Sequence, residues 1–75
     1  MSLGSRFDAW RRAERLTYAQ LGRRYGVDLQ TVYRHCLPPG ARHHRVPRPA
    51  LMVRIYEVTG GAVRPDHFYA LEASA

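Results

Sequence analysis

Apolar positions recur along the chain at the spacing of α-helices. Phe7 and Trp10 are three residues apart and Leu21 and Tyr25 four, so each pair lies on one face of a helix. Two further sets repeat this spacing: Val32, His35 and Cys36, then Leu51, Ile55 and Val58. No segment shows the strict alternation that is typical of a half-buried strand. We therefore predict an all-α fold, a compact bundle of four or five short helices.

The starts and ends of the first two helices are marked by capping residues. Ser5 with Asp8, and Thr17 with Gln20, have the spacing of a capping box, in which a hydroxyl caps the helix and the later side chain reciprocates. Gly26 can adopt the left-handed backbone that ends a helix. Arginines 11, 12 and 15 fall on the outer side of the first helix, where we expect them to be solvated.

Later boundaries are set by proline, glycine and one acidic cap. Asp28 is a good N-cap for a third helix, and Pro38-Pro39-Gly40 ends it. A fourth helix is predicted to begin around Pro49 and to end at Gly60-Gly61. A last turn of helix is predicted over residues 65–71.

The length of the chain and its net charge favour some classes of function over others. Seventy-five residues make one small domain with a thin core, which favours a binding module over an enzyme. We place this domain at residues 5–72, with 1–4 as a cloning remnant or disordered lead and 73–75 as a tail. Twelve basic residues, all arginine, oppose six acidic ones, giving a net charge of +6. Arginine pairs bidentately with phosphate or a guanine edge, so we expect a nucleic-acid partner rather than a merely solvated surface.

Other chemistries find little support in the sequence. The single cysteine, Cys36, cannot form an internal disulfide, and no apolar run approaches the ~18 residues that span a bilayer, so we expect a cytoplasmic protein without a membrane partner. His35, Cys36, His43 and His44 lack the paired spacing of structural zinc sites, so we predict no metal and no cofactor. No carboxylate accompanies the Cys/His pair and no phosphate-binding glycine loop occurs, so we predict no enzyme.

The segment between the second and third helices predicts a helix-turn-helix. Gly22 lets the two helices approach closely, Gly26 supplies the turn, Val27 anchors it and Val32 fills the angle. With those residues committed to packing, the outer face of residues 28–34 is free to enter a DNA major groove. A purely structural helical corner is the alternative.

The stretch LTYAQLGRRYGVDLQTVYRHCL, residues 16–37, resembles the helix-turn-helix of Cro/repressor-type (XRE-like) DNA-binding proteins of phages and bacteria. The stretch PALMVRIYEVTGGAVRPDHF resembles the segment after that motif, with matches at Thr59-Gly60-Gly61, Val63, Pro65-Asp66 and Phe68. The resemblance implies a lambda-repressor-like fold and a sequence-specific, double-stranded DNA-binding transcriptional regulator, a repressor of phage or prophage type. It also implies a homodimer on a near-palindromic operator, with half-sites about one helical turn (~34 Å) apart.

Three residues depart from the family pattern. Gly22 stands where alanine is usual, and Asp28 where the cap is commonly serine. An acidic cap would lie near phosphates, so Asp28 is expected to satisfy helix N–H groups rather than to touch DNA. Leu29 stands where a polar residue is frequent, which suggests apolar contact with a thymine methyl group.

Contact residues are predicted on two surfaces. Gln30 is the first choice for base readout, of adenine, while Arg34 would read guanine or clamp a phosphate, and Tyr33 would contact a phosphate or stack on its neighbours. The full set of predicted base contacts is Leu29, Gln30, Thr31, Tyr33 and Arg34. The predicted phosphate contacts are Thr17, Tyr18 and Gln20 at a helix N-terminus, and Arg42, His43, His44 and Arg45 in the basic loop. The alternatives are plain helix capping for the residues at the helix N-terminus, and plain solvent exposure for the basic loop and for Gln30, Tyr33 and Arg34.

Partners other than DNA are also considered. Phe68, Tyr69 and Leu71 are candidates for the dimer contact, or else they close the core as a lid. Two other functions compete with DNA-sequence reading. One is an antitoxin-like module whose main partner is a protein; the other is a helix-turn-helix used for assembly or recruitment.

Overall fold

The computed structural model describes residues 5–69 as four α-helices followed by one turn of 3₁₀ helix. The helices are α1 (Arg6–Ala13), α2 (Tyr18–Tyr25), α3 (Leu29–Cys36) and α4 (Pro49–Val58), and the 3₁₀ turn covers Pro65–Phe68. The prediction of an all-α bundle of four or five short helices is confirmed. Even α4, the longest with ten residues, is far too short to cross a membrane, and the rest of the described chain contains no helix that could.

The predicted N-caps Ser5 and Thr17 are present, but of the two predicted capping boxes only that of Thr17 and Gln20 is complete, because the Asp8 carboxylate accepts from Arg11 instead. The Ser5 hydroxyl accepts a hydrogen bond from the Asp8 N–H at 2.9 Å. Thr17 and Gln20 form the full reciprocal box, with Oγ1 accepting from the Gln20 N–H at 3.0 Å and Oε1 accepting from the Thr17 N–H at 2.8 Å. These bonds satisfy N–H groups that have no partner inside the helix. The sequence did not indicate that the Ser5 hydroxyl also donates to the Cys36 carbonyl, at 2.7 Å, which joins the start of α1 to the end of α3.

The core is built mainly from aromatic and β-branched side chains. The Phe7 ring meets the rings of Tyr25 and Phe68 edge-on, with centroids 5.7 and 5.6 Å apart, so α1, α2 and the 3₁₀ turn share one aromatic cluster. The buried apolar residues are Phe7, Leu21, Tyr25, Val32, Cys36, Met52, Ile55, Val63 and Phe68.

The buried face of α4 differs from the predicted one. Met52 and Ile55 are buried, whereas Leu51 and Val58 are only half-buried. The buried face of the helix extends to Thr59, which follows α4. The Thr59 hydroxyl donates to the Ile55 carbonyl at 2.8 Å. The prediction omitted Met52 because a periodicity of three and four residues fits two neighbouring faces of this largely apolar helix equally well.

The turn between α2 and α3 follows from two glycines. Gly26 adopts φ 86°, the left-handed conformation that ends α2. A Cβ atom on Gly22 would lie 2.5 Å from the Val27 carbonyl oxygen and 3.0 Å from a methyl group of Val32. Glycine is therefore required at position 22 because the turn backbone and α3 pack directly against it. The two helices and the tight glycine turn that were predicted between them are present.

Arg11 was predicted to be solvated, but its side chain is largely buried. Its Nε donates to Asp8 Oδ1 at 2.8 Å, and a terminal nitrogen donates to the Leu16 carbonyl at 2.8 Å. The side chain is 15% exposed, whereas that of Arg12 on the same helix is 63% exposed. Arg11 turns inward because the chain after α1 folds back within reach of its guanidinium.

Candidate nucleic-acid interface

The outward face of α3 presents most of the predicted base-contact residues. Leu29 is 51% exposed and Tyr33 46% exposed, and Gln30 and Arg34 are exposed as well. Thr31 is half-buried, and its backbone N–H donates to the Asp28 carboxylate at 2.9 Å. The opposite face holds the buried Val32, His35 and Cys36. One face of α3 therefore packs on the core, and the other is free for contacts with a partner.

Side chains from α2, α3 and the following loop converge on one groove. We call it the α3 groove; its volume is about 370 Å³, and it is lined by Tyr18, Leu29, Gln30, Tyr33, Arg34 and His43. All six were predicted contact residues, although they come from separate parts of the chain. The groove combines apolar side chains with an amide, a guanidinium and an imidazole, which are the groups that recognise base edges and phosphates.

The basic loop lies against the end of α3. The Arg45 N–H donates to the Arg34 carbonyl at 3.2 Å, and the His44 N–H donates to the Ala41 carbonyl at 3.1 Å. A second depression, of about 230 Å³, is lined by Asp28, Gln30, Thr31, Arg34 and Arg45. Two arginines from different segments thus border the same face, which concentrates positive charge beside the exposed side of α3.

Asp28 is the acidic residue within this basic surface. Hydrogen bonds from the Thr31 side chain and backbone lower the pKa of its carboxyl group. The carboxylate therefore remains charged as a helix cap, as the sequence predicted. Its charge is directed at the N–H groups of the first turn of α3.

An arginine and two tyrosines form a stack that the sequence did not indicate. The Arg11 guanidinium carbon lies 4.2 Å from the centre of the Tyr18 ring. The Tyr18 ring in turn meets the Tyr33 ring edge-on, with centroids 5.7 Å apart and planes at 88°. We call these three residues the arginine–tyrosine stack. The only sequence signal for it was the i, i+3 spacing of Asp8 and Arg11, which is typical of a helical ion pair.

The predicted phosphate contacts at the start of α2 remain available. Thr17 and Gln20 are exposed although both cap the helix. The Thr17 hydroxyl proton and the Gln20 NH₂ group can still donate, because the capping bonds use only the oxygen lone pairs. Capping and phosphate contact are compatible here.

His44 is less accessible than the other predicted phosphate contacts in the basic loop. Its ring is half-buried, and its Nε2 is enclosed without a hydrogen-bond partner among residues 5–69. Burial lowers the pKa of His44, which favours the neutral imidazole, with one N–H donor, over the cation with two. The neighbouring Arg42, His43 and Arg45 are exposed as expected. The difference arises because the loop folds back on α3 and encloses one of its two histidines.

The inward-facing side chains of His35 and Cys36 are buried in the core. His35 Nδ1 lies 2.7 Å from the Tyr25 hydroxyl, and burial, with His44 and Arg45 nearby, lowers the pKa of His35 to about 4. Burial raises the pKa of the Cys36 thiol to about 12. Within the described part of the chain, no three histidine, cysteine or acidic side chains are grouped as a metal site would need.

The predicted dimer contact needs correction at Phe68. Its side chain is 1% exposed and packs on Phe7, so it closes the chain's own core, the alternative reading, and offers no surface to a second copy. Tyr69 is exposed, and Leu71 lies outside the described residues.

A separate surface on α4 is apolar rather than basic. Val53 and Tyr56 are exposed. Together with Pro49, Met52 and Pro65 they line a groove of about 350 Å³. The sequence analysis assigned no role to Val53 and Tyr56, because the buried stripe that it predicted for α4 does not include them.

Comparison with known proteins gives no further identification. Neither the family models nor the curated proteins nor the solved structures that were searched contain a match to this chain.

Proposed function

We propose that this chain is a sequence-specific double-stranded DNA-binding protein that regulates transcription, with α3 inserted into the major groove. In keeping with its resemblance to Cro/repressor-type proteins, we propose that it acts as a repressor of phage or prophage type. The observation that carries this proposal is the α3 groove, because six predicted contact residues from three chain segments line it together.

The exposed side chains of α3 match the chemistry of base edges. The Gln30 amide suits the donor and acceptor of adenine, and the Arg34 guanidinium suits the two acceptors of guanine. Both side chains lie on the exposed face and border both depressions of this surface. An α-helix with such a face has the dimensions that the major groove admits.

Positive charge flanks this reading face. Arg42, His43 and Arg45 lie in the loop after α3, and Arg45 is held beside Arg34 by a backbone hydrogen bond. We propose that these residues contact phosphates on one side and that the N-terminus of α2 contacts them on the other. Phosphate contacts of this kind fix the register of a protein on DNA, while the base contacts specify the sequence.

We further propose that the protein binds as a homodimer to a near-palindromic operator. This part of the proposal derives from the family resemblance, and the spacing of ~34 Å between half-sites is the geometric expectation for two α3 helices on one face of DNA.

Selection of bound duplexes from a random library, at physiological salt, tests the proposal. The expected result is one enriched motif, repeated as a near-palindrome. A matched selection with the Gln30→Ala, Arg34→Ala double variant should lose that motif while the variant stays folded, since both side chains are exposed.

Binding without an enriched motif would overturn sequence-specific regulation. The protein would then be better described by the two competing functions, an antitoxin-like module or an assembly module whose main partner is a protein. Capture of a single half-site without a palindrome would overturn only the homodimer.

A further inference from the structure

We propose that the α3 groove accepts the C5 methyl group of a thymine, and that Arg11 in α1 sets this preference without touching DNA. The inference rests on the proposed function and specifies what the same surface reads. Arg11 would be a positioning residue, acting through Tyr18 and Tyr33.

The groove has an apolar part next to its polar readers. Leu29 and Tyr33 are both about half exposed, and the Tyr18 ring completes the same wall. In the major groove the thymine methyl is the apolar group that a base pair presents, while the other distinguishing groups are donors and acceptors. The adjacent Gln30 amide fits adenine, so the apolar part of the groove and Gln30 together favour an A·T pair, while Arg34 in the same groove suits a guanine.

The Tyr33 ring is held in place from outside its own helix. On an exposed helical position a tyrosine ring can adopt more than one rotamer. Here the Tyr18 ring meets it edge-on at a centroid distance of 5.7 Å, which favours one orientation. The Tyr33 ring therefore stands as a fixed wall of the groove.

Arg11 in turn fixes Tyr18. Its guanidinium is bonded to the Asp8 carboxylate and to the Leu16 carbonyl, each at 2.8 Å. From that position it lies 4.2 Å from the centre of the Tyr18 ring, within the range of a cation–π contact. A chain of contacts thus runs from α1 through α2 to the exposed face of α3.

The test measures binding to the selected duplex after each thymine is replaced in turn by deoxyuridine, which removes only the methyl group. We expect one thymine per half-site at which the replacement weakens binding about fourfold, the effect of exposing one methyl-sized group. Leu29→Ala should abolish this difference. Tyr33→Ala should reduce it, and Tyr33→Phe, which keeps the ring, should preserve it.

The role of Arg11 is tested by comparing Arg11→Gln with the control variant Arg12→Gln. Arg11→Gln and Arg12→Gln each remove one positive charge from α1, but only Arg11 contacts Tyr18. Arg11→Gln should reduce the thymine-to-uracil ratio to below about twofold, while Arg12→Gln leaves it near fourfold. Arg11→Lys, which keeps the charge but lacks the planar group, should give an intermediate ratio. A purely structural role for Arg11 would weaken binding to both duplexes equally and leave the ratio unchanged.

The outcomes separate this inference from the proposed function. A selected motif in which no thymine methyl affects binding would overturn the inference and leave the DNA-binding proposal in place. A methyl effect that is the same in Arg11→Gln as in the unaltered protein would overturn the role of Arg11. Failure to select any motif would overturn the proposed function, and this inference with it.

Discussion

At the scale of single residues, His35 shows how the core limits the protein's pH range. Its ring is buried, its Nδ1 is paired with the Tyr25 hydroxyl, and its surroundings include the partly buried His44 and the cationic Arg45. A proton added to this ring would place a charge in an apolar site beside another positive group. The folded state therefore holds His35 neutral, although an unfolded histidine binds a proton near pH 6.5.

We expect the free energy of unfolding to fall as the pH is lowered from 6.5 towards 4. The pKa of His35 is about 4 in the folded state and about 6.5 when unfolded, so the unfolded state binds more protons in this window. The stabilisation is complete above pH 6.5, and its loss approaches about 3 kcal/mol near pH 4. Urea denaturation across this range measures it.

A matched pair of variants isolates the contribution of His35. His35→Gln should be less stable at neutral pH and should lose most of this pH dependence, whereas His43→Gln, at an exposed position, should retain it. His44, whose pKa is also lowered, contributes with the same sign. Equal slopes in the two variants would mean that other groups cause the acid sensitivity.

At the scale of secondary-structure elements, the α2–α3 turn fixes how α3, the proposed DNA-reading helix, packs on α2. Gly22 permits the contact with the Val27 carbonyl, and the N–H groups of Gly26 and Val27 both donate to the Gly22 carbonyl, at 2.7 and 3.0 Å. The family that this segment resembles usually has alanine at position 22. In this chain the turn is packed too closely for it.

Gly22→Ala is expected to destabilise the fold by about 2 kcal/mol or more, because an added methyl group must displace a backbone carbonyl rather than a flexible side chain. Gly60→Ala is the control: it meets no atom within 4 Å and carries only the strain of φ 63°, which should amount to about 1 kcal/mol. Chemical denaturation of both variants compares the two effects. Equal losses would show that the turn can relax around the methyl group.

Gln30→Ala should weaken binding to the selected operator by about 1–3 kcal/mol and relax the preference at one base position. Gln20→Ala, which loses a helix cap but lies outside the α3 groove, should leave sequence preference intact. Repeating the duplex selection with each variant gives the answer. An unchanged motif for Gln30→Ala would place the reading face elsewhere.

Interactions between residues close in the sequence were predictable, whereas interactions that depend on the path of the chain were not. The caps at Ser5, Thr17 and Asp28 and the turn at Gly26 were predictable, since their hydrogen bonds and dihedral angles involve residues within four positions. The inward turn of Arg11 was not, because it depends on where the chain goes after α1 ends. Long side chains near such a turn cannot be assigned to solvent from periodicity alone.

The candidate site was predictable to a similar degree. The exposed face of α3 followed from its spacing, and the convergence of Tyr18 and His43 on that face required the tertiary fold. The partial burial of His44 was not predictable from a loop rich in basic residues, because it depends on the backbone hydrogen bond between Arg45 and Arg34 that holds the loop against α3.

At the scale of the whole molecule, the arginines differ in their surroundings. The chain carries +6, and arginines from α3 and the following loop meet on one side. Several other arginines are paired locally, as Arg64 is with Asp66 at 3.4 Å. Because of this difference, the contribution of an arginine to DNA binding should depend on its position rather than on its charge alone.

Arg45→Ala should weaken binding to all duplexes alike and reduce the slope of log affinity against log salt by about one. Arg64→Ala, which removes the same charge from a position lining neither depression of the α3 surface, should change that slope much less. Fluorescence anisotropy from low to physiological salt measures both. Similar slopes for the two variants would show that binding responds only to net charge.

The buried thiol on the inner face of α3 also provides a chemical probe of local opening in this protein. Cys36 is the chain's single cysteine, and its side chain is packed in the core with a strongly suppressed tendency to ionise. An alkylating reagent can reach it only when the packing around α3 opens, so the rate of modification measures those opening events. If α3 binds DNA as proposed, a bound duplex should slow this reaction, and the ratio of the two rates would give the stabilisation of the protein against the opening that exposes Cys36.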